Sequence, residues 1–162
     1  MKLLKIGYDE DMKEDQVAEF VEGFALQLND AGMQRMAARV FAALLTAPEG
    51  GHTAREIAER LGVSAAAVSG ATNYLTRTGL AQRVRVTGDR VDHFNIHGTT
   101  WAEAMAAETA QISALGSWLD KGLEAVEDDA AHTRMAATRD FFRFMAVEMP
   151  KLVDRWHASR QA

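Results

Sequence analysis

The spacing of apolar and polar residues predicts six helices and one β-hairpin, with the hairpin between the fourth and fifth helices. The signals are clearest in the middle of the chain. Thr53 and Glu56 fit a capping box, so the third helix should begin at Thr53 and end at Gly62, a residue suited to the left-handed conformation. Ser64 is placed to cap the fourth helix, which Gly79 ends. A helix, a tight turn and a second helix therefore form the centre of the chain.

The fourth helix has an apolar and a polar side. Its predicted inward side consists of Ala67, Val68, Ala71 and Leu75. Its predicted outward side carries short side chains and one cation: Ala65, Ala66, Ser69, Thr72, Asn73, Thr76 and Arg77. Small residues let a helix approach a groove wall closely, and hydroxyl and amide groups bind phosphates and base edges. This composition is typical of a DNA recognition helix, and the alternative is a solvated helix of some other three-helix core.

After the fourth helix, alternating residues predict the two strands of the hairpin. Residues 83–86 form the first strand, residues 91–96 form the second, and Gly88 and Asp89 lie at the tip. Three arginines lie on or near this hairpin: Arg83, Arg85 and Arg90. The hairpin should therefore place positive charge beside the fourth helix.

The two ends of the chain carry longer amphipathic segments. Residues 1–10 are expected to form a short arm, with one extended segment as an option. Further helices are predicted over residues 11–28, 32–47, 99–126 and 133–157. Thr100 and Glu103 repeat the capping-box pattern at the start of the fifth helix. Each of these helices has an apolar stripe that needs a partner surface.

Composition and charge narrow the class of protein. A chain of 162 residues can bury a core without metal or disulfide staples, and the absence of cysteine agrees with a reducing compartment. No uninterrupted apolar run reaches about 18 residues, so we expect a cytoplasmic protein that does not enter the membrane. The net charge is −5, but residues 51–92 carry six arginines against four acids, a net of +2. The small basic excess lies where the motif predicts it.

The run LGVSAAAVSGATNYLTRTGLAQR, followed by a hairpin with GDR at its tip, resembles the winged helix-turn-helix of the MarR family of bacterial transcriptional regulators. FVEGF at residues 20–24 and GMQRMAARVFAALL at residues 32–45 resemble, more narrowly, the GbsR-like subgroup and its relatives that repress lipid-transporter genes. The resemblance covers roughly residues 17–126. It implies a mainly α fold with a small β-hairpin wing, in which N- and C-terminal dimerisation helices flank a winged helix-turn-helix.

On this resemblance the chain divides into three segments: an arm and dimerisation helix in residues 1–31, a DNA-binding domain in residues 32–98, and dimerisation helices in residues 99–162. MarR-like proteins are dimers built this way. A twofold dimer presents two recognition helices to successive major grooves. Its operator in double-stranded DNA should therefore be a palindrome with half-sites about 34–36 Å apart, or a multiple of that distance.

The residues expected to contact DNA lie on the fourth helix and the wing: Ser64, Ala65, Ser69, Thr72, Asn73, Arg77, Arg83, Arg85, Asp89 and Arg90. Family members commonly carry two cations after the wing aspartate, the last of which enters the minor groove. Here Val91 follows Arg90, so the usual second cation is missing. Minor-groove insertion then requires Arg90 or Arg85 to substitute for it, and the alternative is a plain solvated hairpin.

The resemblance also implies an apolar effector, lipid-like or aromatic, at the junction of the flanking helices with the winged domain. The residues expected to line that site are Phe20, Phe24, Met33, Met36, Trp101 and Met105. Methionine fills irregular space and tolerates varied ligands. The alternative is that these residues belong to an ordinary core.

Motifs for other chemistry are lacking. The sequence has no Gly-rich phosphate loop, nucleophile elbow or HExxH motif, so we expect no catalytic residue, no cofactor and no enzyme. His93 and His97 are four apart but span a strand end and a turn, so no metal site is expected. The resemblance thus implies a dimeric repressor released by an apolar small molecule. The alternative is a winged-helix protein-interaction module that does not bind DNA.

Overall fold

A computed structural model describes the backbone of residues 3–160 and the side chains of residues 13–160. Its elements, in chain order, are α1 (Leu3–Asp30), α2 (Arg35–Leu45), β1 (His52–Thr53), α3 (Ala54–Leu61), α4 (Ala65–Arg77), β2 (Gln82–Arg85), β3 (Asp92–Asn95), α5 (Thr100–Leu123) and α6 (Asp129–Ser159). The chain divides into two compact units, Met1–Gly98 and Thr99–Ala162. The structure is therefore mainly α-helical with one small sheet.

The core of the first unit is built around α2, which packs against α1, α3 and α4. This helix is apolar on most of its surface, so its residues from Ala37 to Leu44 are almost all buried. The largest fully buried side chains of this core are Val40, Phe41, Leu44, Ile57, Val68 and Leu75. Burial on this scale fixes how α3 and α4 are oriented on α2.

The predicted caps of the helix-turn-helix are confirmed. The Thr53 hydroxyl accepts a hydrogen bond from the Glu56 amide at 3.2 Å, and the Glu56 carboxylate accepts one from the Thr53 amide at 2.7 Å. Gly62 follows α3 with φ +62°, and the Ser64 hydroxyl caps α4 by accepting from the Ala67 amide at 3.3 Å. These local bonds fix where α3 ends and where α4 begins.

The sheet has three strands in the order β1-β3-β2, so the predicted hairpin was incomplete. Its additional strand, β1, pairs antiparallel with β3 and sets His52 opposite Phe94. Gly51 leads into β1 with φ +73°, and a Cβ atom at this position would collide with the backbone carbonyl of Phe94. Only glycine fits here, since both the backbone conformation and the close approach exclude a side chain.

In the second unit, α5 and α6 pack against each other. Asp120 of α5 accepts from Arg143 of α6 at 2.8 Å and lies 3.6 Å from Arg139. The Asp128 carboxylate caps α6 by accepting from the Ala131 amide at 2.7 Å. The two helices also approach closely at Gly116 of α5, where an added Cβ atom would lie 3.8 Å from Cβ of Phe142 of α6.

Two details of the predicted helices were wrong. Residues 3–10 belong to α1 and do not form a separate arm, and they contain no proline that would interrupt the helix. At α5 the N-cap is Thr99, which makes no side-chain cap bond, and Thr100 lies inside the helix. The Thr99 hydroxyl instead bonds to Glu103 at 2.7 Å.

Candidate nucleic-acid interface

The exposed side of α4 carries a row of short side chains that ends in a cation. Ala65, Ser69, Asn73 and Arg77 follow one another at intervals of four residues and are all exposed. Residues spaced in this way form a ridge along a helix. Ser64, at the N-cap, is exposed beside the start of the row. The structure thus brings five of the predicted DNA contacts onto one accessible surface, which we call the α4 ridge.

Gly70 also lies on the exposed side of α4, although the sequence pattern did not predict it there. It is exposed, and a Cβ atom there would meet nothing within 4 Å. Its spacing from Ala66 and Asn73, four and three residues, was the signal that could have found it. A ligand can therefore approach the α4 backbone most closely beside Gly70.

Thr72 was wrongly predicted to face DNA. Its side chain is 1% exposed, and its hydroxyl donates to the backbone carbonyl of Val68 at 3.0 Å. It lies four residues after Val68 and three before Leu75, so helical geometry places it with these two core residues. The bond to the helix's own carbonyl satisfies the hydroxyl and makes its burial tolerable.

Arg77 ends the α4 ridge and is accessible. Its guanidinium lies 6.0 Å from the centre of the Tyr74 ring. It makes no ion pair with any side chain in residues 13–160. Its charge is therefore available to an anionic ligand.

Two of the three arginines of the wing are engaged within the sheet. Arg83 lies 3.2 Å from Asp92 and Arg85 lies 3.9 Å from it, so two cations share one carboxylate. The Arg83 guanidinium also lies 5.7 Å from the centre of the Phe94 ring, opposite it across the strands. This pairing lowers the net positive charge that the wing offers.

The tip of the wing has a different arrangement. The Asp89 carboxylate accepts a hydrogen bond from the Val91 amide at 3.1 Å and lies 2.9 Å from Nε2 of His93. The His93 bond, followed by the Val91 amide, lowers the pKa of Asp89 below its usual value. Arg90 is exposed and forms no ion pair among the described side chains. Sequence reasoning considered His93 only as a metal ligand and missed its four-residue spacing from Asp89.

A second histidine lies at the base of the wing. Nε2 of the buried His52 is 3.0 Å from the Arg60 guanidinium, and its Nδ1 is 3.8 Å from the Glu56 carboxylate. Because arginine only donates, Nε2 must accept and Nδ1 must carry the proton. Burial, followed by the positive charge of Arg60, lowers the pKa of His52, although Glu56 acts in the opposite direction. The folded chain therefore favours the neutral ring.

We expect acid to destabilise the fold through His52. The unfolded chain binds this proton more readily than the folded chain, so the free energy of unfolding should fall as the pH drops below about 6.5. His52→Gln keeps an acceptor for Arg60 but cannot titrate, and its loss of stability between about pH 7.5 and pH 5.5 should be smaller. Urea unfolding at the two pH values measures the difference. Equal losses in the two proteins would contradict the assignment.

The predicted effector residues lie in both units, and each group is described separately. In the first unit, the Phe20 and Phe24 rings stack with their centres 5.5 Å apart, and Met33 and Met36 are half-buried. In the second unit, Trp101 and Met105 lie one turn apart on α5 and are 45% and 50% exposed. The effector site stays a prediction.

The first unit also contains a cleft of about 580 Å³ between α1 and the ends of α2 and α3. Charged residues form much of its lining, including Lys13, Glu14, Asp15, Glu22 and Arg60. None of the predicted effector residues lines it. Its charged residues distinguish it from the apolar effector site that the sequence predicts.

Two negative findings concern the part of the chain that the structure describes. Within it, no group of three His, Cys, Asp or Glu side chains is arranged to hold a metal ion. No helix in the same part is long and apolar enough to cross a membrane.

Two family models match this chain. The first, described as MarR family, matches residues 31–90. The second, described as MmpR5-like MarR family transcriptional regulator, matches residues 99–159. The matched segments include the helix-turn-helix, most of the wing, and the α5–α6 pair.

Individual relatives agree with these models. The HTH-type transcriptional regulator MmpR5 of Mycobacterium tuberculosis (strain ATCC 25618 / H37Rv) is 26% identical over 141 residues, which are 86% of each chain. A solved structure described as the crystal structure of a transcriptional regulator has a TM-score of 0.78 at 23% identity, over 88% of this chain and 99% of that one. The structural likeness confirms the predicted fold class, and the relatives are regulators rather than enzymes.

Proposed function

We propose that this chain, which two MarR-family models match over residues 31–90 and 99–159, is a repressor that binds a palindromic operator as a homodimer. The observation that carries the proposal is the α4 ridge, an accessible row of short side chains that ends in the unpaired Arg77. Such a row can lie against the floor of a major groove without steric conflict. A DNA-binding regulator of this kind acts on cytoplasmic DNA.

Within the α4 ridge we assign different roles to the polar groups. The Asn73 amide can bind the edge of an adenine, and Arg77 can bind a guanine or a phosphate. The N-cap Ser64 and the first turn of α4 lie at the positive end of a helix, which favours a phosphate. Ala65 and Ser69 allow the close approach that these contacts need.

The homodimer is supported by the exposed apolar residues of the second unit. Large side chains project from both of its helices: Leu115 and Trp118 on α5, and Phe141, Phe144 and Val147 on α6. Trp118 is 68% exposed and Phe144 is 61% exposed, values that are unusual for side chains of this size in a monomer. A second copy of the chain would remove these surfaces from water.

We expect Phe144→Glu to convert the dimer into a monomer, because the interface would have to bury an unpaired carboxylate. Sedimentation equilibrium measures the change. The matched variant Phe144→Leu keeps an apolar side chain and should remain dimeric. A dimeric Phe144→Glu protein would exclude this surface from the interface.

The operator can be tested by selecting bound sites from random double-stranded DNA and then measuring retardation of the selected fragment. We expect an inverted repeat with half-sites about 34–36 Å apart, or a multiple of that distance. The absence of retardation at low salt would end the DNA-binding proposal. If the protein retards a fragment with one half-site as strongly as a fragment with two, the proposal that it binds as a dimer would be wrong.

We further propose that an apolar effector releases the repressor, supported by the exposed Phe20, Trp101 and Met105. To move the protein from mostly bound to mostly free, the effector must favour the non-binding shape of the dimer by roughly 5 kcal/mol. Titrating oleate and salicylate into the protein–operator complex tests this step. The narrower resemblance to the GbsR-like subgroup stays a prediction, which finding the operator beside a lipid-transporter gene would support.

A second candidate function is a winged-helix interaction module without DNA. It is favoured by the shared pairing of Arg83 and Arg85 with Asp92 and by the net charge of −5. Replacing Arg77 and Arg83 together with alanine separates the two functions. A DNA reader should lose affinity and show a shallower dependence on salt, whereas an adaptor should keep its protein partner.

A further inference from the structure

The wing tip is anchored to the middle of the sheet by one side chain. His93 lies on β3, the central strand, with Thr53 of β1 on one side and Val84 of β2 on the other. Its side chain is 13% exposed, and its Nε2 lies 2.9 Å from the Asp89 carboxylate. Because β3 is paired on both sides, the backbone of His93 is fixed, and its side chain can serve as an anchor for the tip.

The direction of this hydrogen bond follows from the chemistry of its partners. An ionised carboxylate only accepts, so Nε2 of His93 carries the proton and donates it to Asp89. Nδ1 of the same ring is buried and has no hydrogen-bond partner among the described residues. The bond to Asp89 is therefore the side-chain hydrogen bond that orients the ring.

Asp89 connects His93 to the main chain of the wing tip. Its carboxylate accepts from the Val91 amide at 3.1 Å and also interacts with the Arg90 amide. The two amides that bind the carboxylate, those of Arg90 and Val91, therefore flank the Cα atom of Arg90. Fixing Asp89 fixes the backbone from which the Arg90 guanidinium extends.

We infer that His93 is a positioning residue for DNA binding: through Asp89 it holds the wing tip in the conformation that presents Arg90 to the duplex. This inference rests on the proposed DNA binding. The wing lacks a second cation after Arg90, and Arg83 and Arg85 already share Asp92. A single accessible guanidinium gains most from a loop that is ordered before it binds.

The test is a double-mutant cycle on the selected operator fragment, using the full chain. His93→Leu removes the donor and Arg90→Ala removes the cation, and each should weaken binding by about three- to tenfold. Because both changes act through one contact, the double variant should bind no more weakly than Arg90→Ala alone. His93→Gln, whose amide can donate to Asp89, should restore most of the affinity. Additive losses, or no rescue by His93→Gln, would overturn the inference.

A second measurement reports on the tip without DNA. The Val91 amide should exchange its hydrogen more slowly in the wild type and His93→Gln than in His93→Leu, because the bond to Asp89 protects it. Asp89→Ala breaks the same arrangement at an exposed site and serves if His93→Leu fails to fold. Equal exchange in all folded variants would overturn the inference. A wild type with a protected Val91 amide that binds no DNA would instead overturn the proposed function.

Discussion

Ser69→Glu should lower the affinity for operator DNA by at least roughly a hundredfold while leaving the fold intact, because it sets a carboxylate against phosphates and base acceptors. Ser69 occupies the middle of the α4 ridge and is exposed, so the larger side chain disturbs no core packing. Fluorescence anisotropy with a labelled operator measures the loss. Thermal unfolding should show an unchanged midpoint within a few degrees.

The matched control is Ser113→Glu. This serine is also exposed and helical, but it lies on α5 in the other unit. The change in net charge is identical, so general repulsion between an acidic protein and DNA affects both variants equally. Near-wild-type binding by Ser113→Glu together with loss in Ser69→Glu would assign the effect to the α4 ridge. If Ser69→Glu binds the operator with wild-type affinity, α4 does not form part of the DNA interface.

The second large effect is expected at the entrance to the sheet. Gly51→Ala should lower the free energy of unfolding by about 2–5 kcal/mol, because it adds left-handed strain and a collision with the Phe94 carbonyl. The collision forces β1 away from β3 where His52 pairs with Phe94. Urea unfolding followed by circular dichroism measures the loss.

Gly62→Ala separates the two causes. Gly62 has a similar φ of +62°, but a Cβ atom there meets nothing within 4 Å. Its substitution should cost only the conformational strain, about 1–2 kcal/mol. The excess cost at Gly51 is then the cost of the collision. Equal losses at the two glycines would mean that the sheet relaxes around the added methyl group.

The parts of the fold that could be predicted from sequence are those with local causes. The helix caps depend on backbone groups only three or four residues away, so the sequence pattern predicts them directly. They are formed by Thr53, Glu56, Gly62 and Ser64. β1 is a strand of two residues whose pairing with β3 spans about forty residues of sequence. A strand of two residues has no periodic pattern of its own, so the sequence did not predict β1.

The errors in the site have similarly specific causes. Thr72 is polar, and composition alone placed it outward, but the helical phase set by Val68 and Leu75 places it in the core. At α5, Thr99 and Thr100 are adjacent and both precede Glu103, so the pattern left the cap ambiguous by one residue. The contact between Asp89 and His93 spans only four residues, and it was missed because His93 was considered only as a metal ligand.

The pairing of Arg83 and Arg85 with Asp92 has a consequence for how the protein searches a genome. In the proposed complex, a duplex must compete with Asp92 for these guanidinium groups, and cations that are already neutralised attract fewer phosphates at random sites. The protein would therefore stay bound to non-specific DNA for a shorter time and would sample new sites more often. For the proposed repressor, occupancy of the genome then depends less on bulk attraction and more on the fit to the operator.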